Sequence, residues 1–330
     1  MLEASTLSDD LTTKLQLALG IELAVLPPYL YALWSIKPSS EGALEAAAQA
    51  ANSIRAVVYE EMLHAGQVGN ILNALGTVPD VTAHVMSYPG PLPGHTMRKL
   101  YAYDVGLGPL SAASVGTFML IERPEWIEPV DSADGWITIG QFYEAVRKDL
   151  KKLGSGAFGG GRQLPPGDNP GPGRLTQVAS LAASLEAVET VVDQGEGHRP
   201  KPDDAAPPEI DDDHEVAHYF QFATIGKYLA DGRIDAKRDL YPVIENPSAA
   251  RYAPDQQQAN ADFNKLYTAL LDSLATMFGS GAPRAFGQPT ELMAELRHAA
   301  ARLRSLGRVP GTQKVAGPTF EYLGASEGAA

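Results

Sequence analysis

A lone carboxylate set in the middle of an apolar helical face constrains this chain more than any bulk property. On a helix, Glu22 shares its face with Leu15, Ala18, Leu19, Val25, Leu26 and Tyr29, because residues three, four and seven apart fall on one side. Such a stripe turns towards the core, where an unpaired charge is very costly. Something must compensate Glu22: an Arg or Lys partner, a shared proton or a metal ion. Pro27-Pro28 follow within two turns and predict a kink beside this buried charge.

The next helix carries a matching piece. Glu61 and His64 in Glu-Met-Leu-His stand three residues apart, hence on one face. Ile54, Val57, Val58, Ala65, Val68 and Ile71 surround them. Glu60 is expected to turn partly outward, as a surface residue or an outer partner of the site. One Glu on a helix plus Glu-x-x-His on its neighbour is half of a dinuclear carboxylate site built inside a helical bundle. Arg and Lys are scarce on both apolar faces, which weakens the ion-pair alternative.

The second half requires another Glu and another Glu-x-x-His. Glu215-Val-Ala-His218 fits near the start of a later helix, although a capping acid plus a packed histidine would give the same letters. A partner running antiparallel must contribute from its own C-terminal end, where Glu196 stands between Gly195 and Gly197. Glu144 and Glu189 compete for this place, but Arg147 and Lys148 beside Glu144, and Glu186 and Asp193 beside Glu189, look like solvated faces. The candidate ligand set is therefore Glu22, Glu61, His64, Glu196, Glu215 and His218. This O/N donor set suits two Fe ions, with Mn as the alternative. Tyr29, Tyr59 and Phe222 are candidates for the lining of a pocket or for core packing, and His84, His95 and His298 read as structural.

Seven helices are expected: from Thr6 or Ser8 to Ile36, from Ser39 or Ser40 to Leu75, and over 139–153, 175–194, 211–230, 256–278 and 290–306. Strand signals are weak, with YPVIENP and VTAHVMSYP the candidates, so the class is all-α. Long Gly/Pro-rich segments separate the helices at 77–110 and 154–173, as lids, mobile segments or tolerated insertions. The expected organisation is one domain over 1–330, with a core bundle at about 7–230 and a C-terminal helical extension at about 231–330.

The 330 residues carry a formal net charge of −14 and no cysteine. The acidic balance disfavours nucleic acid and anionic membranes as partners. Without cysteine there are no disulfides, thiolate nucleophiles or Cys-held clusters. The N-terminal residues lack a signal-peptide pattern, and no window approaches about 20 uninterrupted apolar residues. The expectation is a cytoplasmic protein, with homo-oligomerisation left open.

The stretches IELAVLPPYLYALWSIKP (21–38), EEMLHAGQVGNILNALG (60–76), FMLIERPE (118–125), ITIGQFYEAV (137–146), QGEGH (194–198), EVAHYFQF (215–222) and AGPTFEY (316–322) together resemble the ferritin-like family. That family includes a portion of the violacein-pathway iminophenyl-pyruvate dimer synthase and many stand-alone bacterial proteins. The resemblance spans nearly the whole chain in order. It implies a ferritin-like four-helix bundle with extra C-terminal helices, and a metal site at Glu22, Glu61, His64, Glu196 and His218. Glu122 enters as a further ligand or an outer partner. The leading functional expectation is a di-iron oxidoreductase of secondary metabolism that uses O2 or peroxide on a small organic substrate. The alternatives are ferroxidase-type iron handling, which the length and extra helices disfavour, and a helical scaffold or partner protein.

Overall fold

The computed structural model describes residues 2–94, 103–124, 138–166, 173–195, 216–280 and 287–324, with side chains from Ser8 onward. Its helices are α1 (Leu2–Ala24), α2 (Leu26–Ser35), α3 (Glu45–Ala74), α4 (Ala112–Ile121), α5 (Ile139–Leu153), α6 (Leu181–Gly195), α7 (His218–Ala230), the four-residue α8 (Ala236–Asp239), α9 (Pro254–Ser280) and α10 (Gly287–Ser305). Strand is confined, among the described residues, to the two-residue antiparallel pair β1 (Gly90–Pro91) and β2 (Asp104–Val105) and to isolated bridges. One of these bridges joins Val243, in the YPVIENP segment, to Val315. The VTAHVMSYP segment is mostly turn and irregular chain.

The expected kink lies between α1 and α2. Pro27 and Pro28 sit in the first turn of α2, where a missing N–H costs little, and backbone bonds from Val25 to Ile21 and from Tyr29 to Val25 carry the helix through. The Ala24 carbonyl, which loses its helical donor at Pro28, accepts the Tyr88 hydroxyl at 2.6 Å. By length and composition the stretch Ser8–Ser35 could cross a membrane, yet 94% of its most apolar window is buried in the protein. It is a core helix.

Antiparallel to this pair runs α3, which is buried on every side from Leu63 to Ala74. It ends where Gly76 takes a left-handed φ of 81°, and Thr77 N–H closes back on the Leu72 carbonyl at 2.9 Å. The described parts of the Gly/Pro-rich segment after α5 are strapped to this helix. Asn70 donates to the Leu164 and Thr176 carbonyls and accepts from Leu164 N–H. Gln67 donates to the Arg174 carbonyl and accepts from Thr176 N–H.

The helices form two four-membered rings that share α3. In one, α1, α3, α6 and α5 pack in a closed circuit; in the other, α7 packs on α3 and α4 while α2 packs on α3. Tyr29 of α2 completes the second ring, with its ring centroid 4.7 Å from Phe118 of α4 and 5.1 Å from Phe222 of α7. Among the described residues, only α1–α2 and α3 pass through both rings. The other two sides of the bundle each consist of two helices, α4 with α5 and α6 with α7, whose ends meet the seam between the rings. Beyond the bundle, α9 and α10 form an antiparallel pair packed on α3 and α2.

Candidate metal centre

The seam collects buried charge. Glu22 stands two residues before the end of α1, Glu61 and His64 in mid-α3, Glu122 at the C-cap of α4, and His218 at the first position of α7. None of the five is more than 4% exposed. Donor atoms of Glu22, Glu61 and His64 lie within 4.8 Å of one another, as do those of Glu61, Glu122 and His218. Glu61 belongs to both groups. The two imidazoles lie nearly parallel across the cage, with centroids 5.5 Å apart.

Each histidine turns Nδ1 inward. His64 Nδ1 is 3.4 Å from Glu22 Oε2 and 3.5 Å from Glu61 Oε2. His218 Nδ1 is 2.9 Å from Glu61 Oε1 and 3.4 Å from Glu122 Oε2. Each Nε2 is held from behind: His64 by the Gln194 amide oxygen at 3.0 Å, His218 by Glu60 Oε2 at 2.7 Å. The outer oxygens of the terminal carboxylates are held too, since Tyr143 donates to Glu22 Oε1 and Tyr29 to Glu122 Oε1. Each terminal Glu thus points Oε2 at the cage centre.

The electrostatics of this cage are those of a site that lacks enough positive charge. Burial pushes the Glu22 carboxyl up to about 7, helped by the Glu61 charge and opposed by His64. Burial disfavours the His64 cation, but Glu22 and Glu61 overcome it and hold the imidazole at about 10. Burial opposes the His218 cation as well; Glu122, Glu60 and Glu61 outweigh it and raise that imidazole well above its ordinary value. For Glu61, burial and the Glu122 charge push upward, yet the two histidines leave it below its usual value. Burial also raises both tyrosines well above 10, so they stay protonated donors. Among the described residues the four carboxylates of the site ion-pair only with these two histidines. Glu122 caps the end of α4 where the helix dipole is already negative.

This donor set fits divalent metal. Two groups of two carboxylates and one imidazole, sharing one carboxylate, match the hard-to-borderline chemistry of iron or manganese. The buried His218 Nδ1 makes no hydrogen bond of acceptable geometry although two carboxylates face it, so loss of its proton would leave a lone pair aimed into the cage. Outer partners on Nε2 and on the carboxylates are what fixes ligands in metal sites.

Of the sequence candidates, Glu22, Glu61, His64 and His218 come together in the cage. Glu196 and Glu215 lie outside the described residues. Glu144 and Glu189 do not approach it: both pair with Arg147 on a more exposed face. Gln194, next to the end of α6, reaches His64 Nε2 from behind. Glu122 joins the second group directly. Glu60 is buried rather than on the surface, because the side of α3 on which it lies is covered by α7. Tyr29, expected as lining or packing, packs on Phe222 and also holds Glu122.

A family model described as Ferritin-like matches residues 15–227. The chain is 26% identical over 379 residues to dichlorochromopyrrolate synthase of Lentzea aerocolonigenes, an alignment that covers 94% of this chain and 36% of that protein. It is 30% identical over 220 residues to the 2-imino-3-(indol-3-yl)propanoate dimerase of Chromobacterium violaceum, covering 57% of this chain and 21% of that enzyme. It therefore spans about a third or less of the length of these relatives. The crystal structure of a ferritin like protein from Caulobacter vibrioides superposes with a TM-score of 0.66 at 28% identity, covering 94% of this chain and 97% of that one.

Proposed function

Because this chain belongs to the ferritin-like family, we propose that its cage holds two iron ions and that the protein is an oxidoreductase acting with O2 or peroxide on a small organic substrate. The observation that carries this reading is the pair of Glu/Glu/His groups sharing Glu61 in a core from which solvent is excluded. When bound, two ferrous ions supply the electrons that reduce O2 or peroxide to a reactive oxidant.

The protein's own part is binding, orientation and charge. Glu22, Glu61 and Glu122 neutralise the ions, and His64 and His218 each add one nitrogen. Tyr143 and Tyr29 hold the outer oxygens of Glu22 and Glu122, so the carboxylates cannot swing freely. Burial of the whole group excludes bulk water, which protects a reactive oxidant from side reactions. The relatives are named as a synthase and a dimerase, which supports an enzyme of secondary metabolism over an iron store. 2-Imino-3-(indol-3-yl)propanoate, the compound in one of those names, is the first substrate to test.

The deciding experiment is elemental analysis of protein purified without added metal, followed by anaerobic Fe(II) loading and exposure to air. About two irons per chain, with a near-ultraviolet charge-transfer band appearing in air, is the expected result. One ion or none after loading would reject the di-iron reading.

A further inference from the structure

The two halves of the cage are nearly copies of one another. Each offers the shared Glu61, one terminal Glu whose Oε1 is held by a tyrosine, and one histidine Nδ1. They differ behind the ring. His64 Nε2 meets a neutral amide oxygen, Gln194 Oε1 at 3.0 Å; His218 Nε2 meets a carboxylate, Glu60 Oε2 at 2.7 Å. Both partners are buried, Gln194 at 5% and Glu60 at 3% exposure, so neither difference is washed out by solvent.

Resting on the two-ion reading above, we infer that the two metal positions are unequal, with the His218 position the tighter, and that Glu60 and Gln194 set the difference as positioning residues that touch no ion. A carboxylate drawing on the far N–H makes an imidazole a better electron donor than an amide does, and such outer partners change metal affinity about 10–100-fold. Charge acts in the same direction. Among the described residues, three carboxylates face His218, namely Glu60, Glu61 and Glu122, while two face His64, Glu22 and Glu61.

The test is an anaerobic titration of the full chain with Co(II), followed by its visible absorption. Two separable phases are expected, one ion each, about 10–100-fold apart in affinity. His64→Ala should keep the tighter ion and His218→Ala the weaker one. Glu60→Gln, nearly isosteric, should weaken the first phase by that factor and leave the second unchanged. Gln194→Glu should strengthen the second phase towards the first, a gain that a merely structural role would not produce and that stands even if Glu60→Gln folds poorly. Two ions of equal affinity, a tight ion surviving in His218→Ala, or no gain in Gln194→Glu would each overturn the inference while leaving the dinuclear site intact. Fewer than two ions in the wild-type chain would overturn both.

Discussion

A polar cluster under the C-terminal tail and another at the seam of the bundle are built to opposite rules. Beneath the C-terminal tail, Asn260, Asn264 and Thr268 repeat every four residues along one face of α9. Asn260 accepts from Thr319 N–H and donates to the Thr319 hydroxyl; Asn264 accepts from Glu321 N–H and donates to Thr319 and Glu321; Thr268 accepts from Leu323 N–H. The tail therefore lies along α9 as if along a strand, with side-chain amides supplying the missing ladder. At the seam of the bundle, four buried carboxylates instead face two histidines, and one inward nitrogen lacks a hydrogen bond. The first cluster is closed by partners from its own chain. The second is left short of positive charge, and that shortage is what distinguishes a site from packing.

The comparison can be broken most sharply at Glu61. Its carboxylate belongs to both groups, so Glu61→Ala should abolish metal loading, read by elemental analysis. The metal-free variant should melt below the metal-free wild type, because the carboxylate that both buried imidazoles pair with has been removed. Full loading of the variant would remove Glu61 from the site.

Acidification should separate the clusters next. Ions must displace the proton that His64 holds up to about pH 10 and, below about pH 7, the proton on Glu22 as well. Loading should therefore weaken as pH falls, by about tenfold per unit for each proton displaced, and more steeply below 7. Metal content and proton release measured from pH 8 to 5 check this; a flat profile would contradict the proton-held cage.

Under the tail the effect is on stability alone. Asn264→Leu strands the Glu321 N–H and removes two donated bonds, and should cost about 2–3 kcal/mol in denaturant unfolding. Metal content should stay unchanged. The smallest effect is expected from Tyr143→Phe and Tyr29→Phe, which free one carboxylate oxygen each and should weaken metal binding about tenfold apiece. Equal affinity in both variants would show that the hydroxyls only fill space.

Four of the five cage residues were legible in the sequence, three of them because they sit on long helices with clear apolar periodicity. Glu22, Glu61 and His64 could be read from their neighbours, and His218 from the spacing of Glu-x-x-His. Glu122 could not be read that way. Its helix, AASVGTFMLI, is ten residues with no polar face, and the carboxylate follows the last turn, where periodicity carries no information; only the family resemblance pointed to it. Of the two readings left open for Glu60, the outer partner of the site is the one the structure supports, and the surface is not, since a helix packed on several sides has no outward face there. The run from 154 to 173 read as a lid, a mobile segment or an insertion, whereas Leu164 within it and Arg174 and Thr176 just beyond it are pinned to α3 by Gln67 and Asn70. A helix of buried amides gives no sequence signal of what it will hold.

Half of the cage is presented by helix ends rather than by helix middles: Glu122 where α4 stops, Gln194 where α6 stops, His218 where α7 starts. A residue lost or gained inside α3 would rotate everything beyond it by about 100°, and Glu61 and His64 would lose their common aim. The spacing of Glu61 and His64 is therefore fixed within a single helix, whereas Glu122, Gln194 and His218 owe their aim to where α4, α6 and α7 end against their neighbours.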